Sequence, residues 1–329
     1  MNILTVRVYI VYTVFVEAEA RSGVSSAMDD RYQLGTAALG GAPTVVVRDS
    51  AGATTLATLV GESPASVVEL IEQWPYWQEK IESRLASSTS RELDLSHAEW
   101  LPPVMPRKLI CIGANYGDHN QEMLGTVSTP VPYSFLKPPT TALVGAGHTI
   151  HLPEHAEKID YEAELAVVIG RRAYCVDQED ALGCVFGYSV LNDISARDWL
   201  PAPTILGPDW TMLKGFDNSA PMGPWITPAQ FVPDPQDLDI SLTVNGRVKQ
   251  DANTAGMIFT VAQLVEHLAS FMTLEPGDVI ATGTPSGVGF GRTPPEFLKA
   301  GDEIRIEIEG LGVLKTRMAP SARLAEARA

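Results

Sequence analysis

Short apolar runs, separated by polar or by glycine- and proline-containing stretches, divide this chain into many strands and few helices. One apolar run covers residues 165–169 and stops at Gly170, and another covers residues 185–191 and ends in Asn192-Asp193. Side chains alternate between the two faces of a strand, and in the first run both faces are apolar. We therefore expect that strand to be covered on both sides.

Two stretches have the 3.6-residue apolar period of a helix. The first covers residues 66–86, and because Pro75 interrupts it, we predict a kink or two shorter helices. The second begins at Thr260, where Thr260 and Gln263 form a predicted capping box. The apolar positions of the two stretches are Val67, Leu70, Ile71, Trp74, Trp77, Ile81 and Leu85, and then Val261, Leu264, Val265, Leu268 and Phe271.

Strand signals recur from Tyr32 to about Val60, with a turn predicted at residues 49–53. Further along, Asn245-Gly246 predicts a hairpin, because this dipeptide supplies the positive φ angles of a type I′ turn. Three more strands are predicted. One covers residues 108–113 and ends in glycine, one covers residues 279–281, and one covers residues 303–309, where polar and apolar residues alternate.

The length of 329 residues favours two domains of unequal size. We expect an extended or poorly ordered segment at 1–27, a small N-terminal domain at 28–100, and a larger domain at 101–329 that carries all the candidate chemistry. The apolar run at 3–16 is too short to span a bilayer. We take Met28 as the functional start.

Composition excludes several classes of function. The formal net charge is −16, so neither nucleic acid nor an anionic membrane surface is expected as a partner. The three cysteines form no C-x-x-C pair, so we predict neither a disulfide framework nor a zinc site. A reducing cytoplasmic location fits this pattern best.

Three carboxylates lie at strand ends. Glu162 and Glu164 share one strand face about 7 Å apart, and Asp193 follows the next long apolar run. Carboxylates on a covered face repel one another unless a cation lies between them. Oxygen ligands without Cys or His suit Mg²⁺, Mn²⁺ or Ca²⁺ rather than zinc. The alternative is that these are solvated strand carboxylates in an acidic protein.

His119 and Glu122 lie three residues apart, which on a helical turn brings their side chains into contact. A carboxylate beside an imidazole raises its basicity and fixes its tautomer, as a general base requires. Considered alone, such a pair is usually a surface contact.

The chain resembles the fumarylacetoacetate hydrolase superfamily over about two-thirds of its length, in the family's order and without a large gap. The segments that carry the resemblance are IGANYGDHNQEM (112–123), FLKPPTTALVGAG (135–147), DYEAELAVVIG (160–170), NDISARDW (192–199), KGFDNSAPMGPW (214–225), VNGRVKQDANTAGMIF (244–259) and FMTLEPGDVIATGTPSGVG (271–289). This resemblance implies an α+β, mainly β fold: a mixed β-sandwich roll with flanking helices, commonly a homodimer.

The resemblance also implies roles for particular residues. Mg²⁺ or Mn²⁺, with Ca²⁺ as an alternative, would be held by Glu162, Glu164 and Asp193. A mobile lid would carry the catalytic pair His119 and Glu122. Lys214 would be a catalytic cation, and substrate contacts would come from Arg197, Thr282 and Tyr116.

The activity implied is metal-dependent hydrolysis of a carbon–carbon bond in a β-diketo acid of the acylpyruvate, fumarylacetoacetate or fumarylpyruvate type, in the catabolism of aromatic compounds. Isomerisation or oxaloacetate-type decarboxylation is the alternative, and a keto-acid-binding scaffold without turnover is a third. Two positions depart from the family pattern: Leu200 stands where a glutamine is frequent, and Gly117 where an arginine is frequent. The first departure weakens the hydrolytic interpretation.

Overall fold

The structure is a computed structural model that describes residues 31–87, 91–200, 205 and 207–321. The predicted segment 1–27 lies outside these residues. Within them, no helix combines the length and the apolar character needed to cross a membrane.

The strands of the described residues are short, as the sequence pattern predicts. They are β1 (Gln33–Leu39), β2 (Ala42–Asp49), β3 (Gly52–Thr55), β4 (Glu99–Trp100), β5 (Leu109–Gly113), β6 (Tyr133–Lys137), β7 (Leu143–Val144), β8 (Thr149–His151), β9 (Ile159–Asp160), β10 (Ala163–Ile169), β11 (Val185–Asn192), β12 (Ser195–Ala196), β13 (Ala220–Pro221), β14 (Trp225–Pro228), β15 (Asp239–Val244), β16 (Arg247–Asn253), β17 (Val279–Ala281), β18 (Glu303–Ile308) and β19 (Gly312–Ala319).

The α-helices are α1 (Leu56–Val60), α2 (Val67–Glu72), α3 (Trp74–Ser87), α4 (Gly117–Leu124), α5 (Pro139–Ala142), α6 (Gln178–Ala181), α7 (Trp210–Lys214) and α8 (Val261–Phe271). The predicted helix at 66–86 is thus two helices, with the break just before Pro75. The strand signals were predicted to continue to about Val60, but residues 56–60 form a helix. Thr55 begins it by accepting a hydrogen bond from the Thr58 amide.

One large mixed sheet dominates the fold, with the strand order β3-β2-β1-β14-β11-β10-β17-β5-β6, and β4 pairs with β1. A five-stranded sheet has the order β16-β15-β18-β19-β8, and two small pairs are β12-β9 and β13-β7. Mixed sheets with flanking helices confirm the predicted fold class.

The strand β10 lies at the centre of the molecule. Leu165, Val167 and Ile169 pack into one core, which contains α8 and the inner face of the five-stranded sheet. Ala166 and Val168 pack into a second core on the opposite face of the large sheet, which contains α2 and α3. All residues of β10 are buried, so the expectation of a strand covered on both faces is confirmed.

The N-terminal strands continue the large sheet. The strand β1 pairs with β14, so that Leu34 lies opposite Ile226, and both side chains belong to the second core together with Val279. The division of the chain near residue 100 remains a prediction.

Two local predictions are confirmed in detail. Asn245 and Gly246 have φ angles of 51° and 74° and connect β15 to β16. Thr260 and Gln263 form the reciprocal capping box of α8. The predicted apolar face of α8 is wrong at its last position: Phe271 is 82% exposed, because the helix ends there and its final turn passes beyond the core.

Candidate metal centre and catalytic site

Three buried carboxylates converge where β10 begins and β11 ends. The antiparallel register places Ala163 opposite Asn192, so Glu162 and Glu164 flank the point where Asp193 leaves the sheet. The backbone amide of Asp193 donates to the carbonyl of Glu162 over 2.9 Å. One carboxylate oxygen from each of Glu162, Glu164 and Asp193 lies within 4.8 Å of the other two. The structure therefore brings the three predicted metal ligands together.

Buried cations bridge these carboxylates. The Lys214 ammonium donates to Glu162 over 2.5 Å and to Asp193 over 2.7 Å. Arg197 donates through Nη2 to Glu162 over 2.5 Å and through Nε to Asp160 over 2.9 Å. These bonds hold the carboxylates of Glu162 and Asp193 in fixed orientations.

Lys137 was not assigned a role from the sequence, although it lies in one of the segments that carry the family resemblance. Its ammonium donates to Asp193 over 2.6 Å and to the carbonyls of Ile194 and Ser219 over 3.1 and 2.7 Å. The side chain is only 1% exposed. A lysine at the end of a strand was the one signal available, and that signal does not reveal which carboxylate the lysine meets.

Asp160 is the second residue that sequence reasoning missed. Besides Arg197, it accepts hydrogen bonds from the backbone amides of Gly289 and Phe290 over 2.6 and 3.0 Å. It therefore attaches the glycine-containing loop after β17 to the ion-pair cluster. A lone aspartate before Tyr161 gives no sign of this connection in the sequence.

The two glutamates of the triad differ in their surroundings. Burial raises the pKa of Glu162, but Lys214, Arg197 and His119 outweigh it and lower that pKa to about 2. Burial raises the pKa of Glu164 well above its usual range, and the charges of Asp193 and Glu162 raise it further. The Glu164 carboxylate accepts a hydrogen bond from the Gly283 amide over 2.8 Å, and no lysine or arginine of the described residues lies within ion-pair distance of it.

A divalent cation fits this arrangement. In the described part of the chain, the cluster has more carboxylates than cations: Asp160, Glu162, Glu164 and Asp193 against Lys137, Arg197 and Lys214. The donor atoms of the triad are all carboxylate oxygens, the ligands that Mg²⁺, Mn²⁺ and Ca²⁺ prefer. A cation beside Glu164 would compensate the repulsion that otherwise favours its protonation.

The predicted His–Glu pair lies on α4. The Nδ1 atom of His119 is 3.8 Å from a carboxylate oxygen of Glu122, and it has no hydrogen-bond partner among the described residues. The side chain of His119 is 11% exposed.

Hydrogen bonds connect the helix α4 to the loop after β17. Glu122 accepts a hydrogen bond from the Gly287 amide over 3.1 Å, and Asp118 accepts one from the Ser286 hydroxyl over 2.6 Å. The segment predicted to be a lid therefore lies against the same loop that reaches Asp160 and Glu164. These contacts place the imidazole and the carboxylate triad in one site.

The three predicted substrate contacts have different surroundings. The Tyr116 hydroxyl is buried and without a hydrogen-bond partner in the described residues, and burial followed by the charge of Glu164 raises its pKa. The Thr282 hydroxyl donates to the Leu165 carbonyl over 3.0 Å. The guanidinium of Arg197 is occupied by carboxylates. Of the three, Tyr116 is the one whose polar atom has no hydrogen-bond partner in the described residues, and all three roles remain predictions.

Leu200 lies at the border of this site. Its amide donates to the carbonyl of Arg197 over 3.1 Å at the end of the 3₁₀ turn Arg197–Trp199. The backbone thus brings position 200 next to the ion-pair cluster. Its aliphatic side chain cannot donate or accept the hydrogen bonds of a glutamine.

A buried oxygen-ligand triad that could hold a metal ion thus lies near a histidine–carboxylate pair. The chain belongs to the fumarylacetoacetate hydrolase family, since the model of the fumarylacetoacetate (FAA) hydrolase C-terminal domain matches residues 108–319. Members of this family include hydrolases and isomerases.

Two relatives illustrate the range of the family. A mitochondrial oxaloacetate tautomerase of Bos taurus is 41% identical over 254 residues, which cover 76% of this chain and 79% of the relative. An uncharacterised protein of Pyrococcus abyssi is 47% identical over 212 residues, which cover 64% of this chain and 90% of the relative.

Solved structures are similar as well. A probable 2-hydroxyhepta-2,4-diene-1,7-dioate isomerase from Mycobacterium abscessus has a TM-score of 0.72 at 29% identity, covering 88% of this chain and 99% of that one. A maleylpyruvate hydrolase from a Sphingobium species has a TM-score of 0.70 at 29% identity, covering 88% and 100%.

Proposed function

We propose that this protein is a divalent-metal-dependent enzyme that interconverts the keto and enol forms of a small 2-oxo acid. The observation that carries the proposal is the buried His119 imidazole, whose Nδ1 has no hydrogen-bond partner among the described residues. It lies beside Glu122, which is hydrogen-bonded to the same loop that meets Glu164. The similarity to an oxaloacetate tautomerase and to a probable isomerase supports the same kind of reaction.

The residues divide this reaction between them. Mg²⁺ or Mn²⁺ held by Glu162, Glu164 and Asp193 would act as a Lewis acid toward the 2-oxo group. His119 takes a proton from the carbon next to that group, and the C–H electron pair becomes the enol double bond. The proton is returned to the 2-oxo oxygen, so that no atom is gained or lost. Glu122 stabilises the imidazolium while His119 carries the proton.

Hydrolysis of a carbon–carbon bond in an acylpyruvate, as in the breakdown of aromatic compounds, is the second candidate. Here His119 would deprotonate a water molecule that attacks the distal carbonyl. The similarity to a maleylpyruvate hydrolase favours this function. Leu200 disfavours it, because its side chain cannot position a water molecule as a glutamine can.

The test is a substrate comparison with the purified full chain. Oxaloacetate, phenylpyruvate and acetylpyruvate are followed by the absorbance of their enol forms, with Mg²⁺ or Mn²⁺ and with EDTA. Tautomerisation predicts metal-dependent equilibration of the enol without any new acid or CO₂. Release of acetate from acetylpyruvate would establish the hydrolase instead. Loss of CO₂ from oxaloacetate would establish a decarboxylase, and no change with any substrate would refute all three activities.

A further inference from the structure

Two aromatic side chains pack against the indole of Trp210 beside the carboxylate cluster, Phe135 stacked and Tyr133 tilted. The ring of Phe135 lies 5.1 Å from that of Trp210 at an interplanar angle of 26°, and the ring of Tyr133 lies 5.2 Å from the same indole. Tyr133 and Phe135 come from β6, and Trp210 comes from the start of α7. We call these three residues the aromatic wall.

The inner end of the aromatic wall touches the candidate site. The Lys214 ammonium lies 5.4 Å from the centroid of the Phe135 ring, and the same ammonium binds Glu162 and Asp193. Lys137 follows Phe135 by two residues on β6 and so lies on the same face, where it binds Asp193. Phe135 is therefore next to both lysines that hold Asp193.

In the described residues, the outer end of the aromatic wall is exposed. Tyr133 is 43% exposed, and β6 is an edge strand of the large sheet in the described residues. An apolar surface thus leads from the edge of the molecule to the lysines of the site. Exposed apolar clusters of this kind mark binding surfaces more often than isolated exposed side chains do.

The chemistry of the aromatic wall suits a planar apolar group better than a charged one. Ring faces stack on flat π-systems, whereas a carboxylate placed there would lose hydration without gaining a partner. Lys214 is the cation that touches the wall, and it already serves two carboxylates. A second carboxylate on the substrate would find no free cation at this surface among the described residues.

We infer that the aromatic wall binds the substituent of the substrate that is remote from its 2-oxo acid end, and that it selects aryl-substituted 2-oxo acids over dicarboxylic ones. This inference rests on the proposed function in one respect only: the 2-oxo acid end lies at the carboxylate triad. Phe135 is the specificity-determining residue, because it joins the stack to Lys214.

The experiment measures binding separately from turnover. Benzoylformate and oxalate have no enolisable hydrogen, so calorimetric titration in the presence of Mg²⁺ reports affinity alone. In the full chain, Phe135→Leu should weaken benzoylformate binding by roughly threefold to tenfold, the value of an aromatic contact, and leave oxalate binding unchanged. Phe271→Leu is the matched control, because Phe271 is an exposed phenylalanine at the end of α8, and it should change neither affinity.

Tyr133→Leu, at an exposed position, repeats the measurement without disturbing the core and should act in the same direction. An equal loss of both affinities, or no loss of either, would overturn the inference. A shift in sedimentation with an unchanged affinity ratio would also overturn it and would make the wall an interface between two copies of the chain. The parent protein could equilibrate none of the keto acids while Phe135→Leu still weakens the binding of benzoylformate and not that of oxalate. The proposed function would then be wrong, and the inference about the aromatic wall would be supported.

Discussion

At the scale of single residues, the pKa of a carboxylate in this site depends more on the groups that it contacts than on its position in the sequence. Glu162 and Glu164 are two residues apart at the start of one strand, yet their pKa values are shifted in opposite directions. Glu162 meets Lys214 and Arg197, whereas Glu164 meets a backbone amide and two other carboxylates. A bound cation would therefore change the charge state of Glu164 most.

Glu164→Gln should abolish most Mn²⁺ binding in a calorimetric titration while the protein still unfolds cooperatively. Because the pKa of Glu164 is raised in the folded protein, its contribution to metal-free stability is full below the unfolded-state pKa and is lost as the pH rises through the folded-state pKa. Without metal, the melting temperature of the parent should thus fall relative to that of the variant as the pH rises above the unfolded-state pKa of a glutamate, about 4.3. Exposed Glu179→Gln is the control, and unchanged Mn²⁺ affinity in Glu164→Gln would remove Glu164 from the site.

His119→Ala should retain Mn²⁺ affinity and lose turnover. The loss expected for a missing general base is about 10²–10⁴-fold in kcat. Glu122→Gln should act in the same direction more weakly, because it leaves the imidazole in place. Steady-state kinetics with the best substrate found, together with Mn²⁺ titration of each variant, provide the measurement. Near-parent turnover in His119→Ala would contradict both the tautomerase and the hydrolase mechanisms.

Local spacing predicted that the three carboxylates would converge and that His119 would lie beside Glu122, whereas the catalytic role of the pair was predicted only from the family resemblance. The sequence did not allow Lys137 or Asp160 to be assigned, because their partners are Asp193 and Arg197, which are distant in the chain. Only the pairing of β5 with β6 and of β9 with β12 brings these residues to the site. Partners that depend on sheet topology cannot be read from local spacing.

At the scale of secondary-structure elements, predictions succeeded where the signal is local. The hairpin at Asn245-Gly246 and the capping box at Thr260 are each specified by a few adjacent residues. Predictions failed where tertiary packing decides, as at Phe271, whose helical spacing is right although no core lies beyond it. Periodicity predicts which face of a helix is apolar, but not how far along the helix the core extends.

Thr260→Ala should destabilise the protein by about 1 kcal/mol, because α8 loses the side-chain acceptor for the Gln263 amide while Gln263 loses its fixed position. Chemical denaturation followed by circular dichroism measures this change. Thr140→Ala, at an exposed position in α5, removes the same atoms without a cap and should leave stability near that of the parent. Equal effects of the two substitutions would mean that the capping box does not stabilise α8.

At the scale of the whole molecule, the candidate site depends on a sheet that both halves of the chain build. The second core contains residues of β1, α2 and α3 together with residues of β10, β14 and β17. The carboxylates of the triad extend from the end of this same sheet. The stability of the N-terminal strands and the geometry of the site are therefore expected to be coupled.

Leu34→Ala tests this coupling. Leu34 is fully buried opposite Ile226, and such a truncation costs about 2–5 kcal/mol when the surrounding core cannot collapse around it. If the sheet unfolds as one unit, differential scanning calorimetry should show a single transition at a lower temperature. Mn²⁺ should then raise the melting temperature of that transition in parent and variant alike, because the ion binds only the folded site. Two transitions, of which only the upper one responds to Mn²⁺, would show instead that residues 28–100 unfold as an independent domain and that the boundary near residue 100 separates the stability of the two parts.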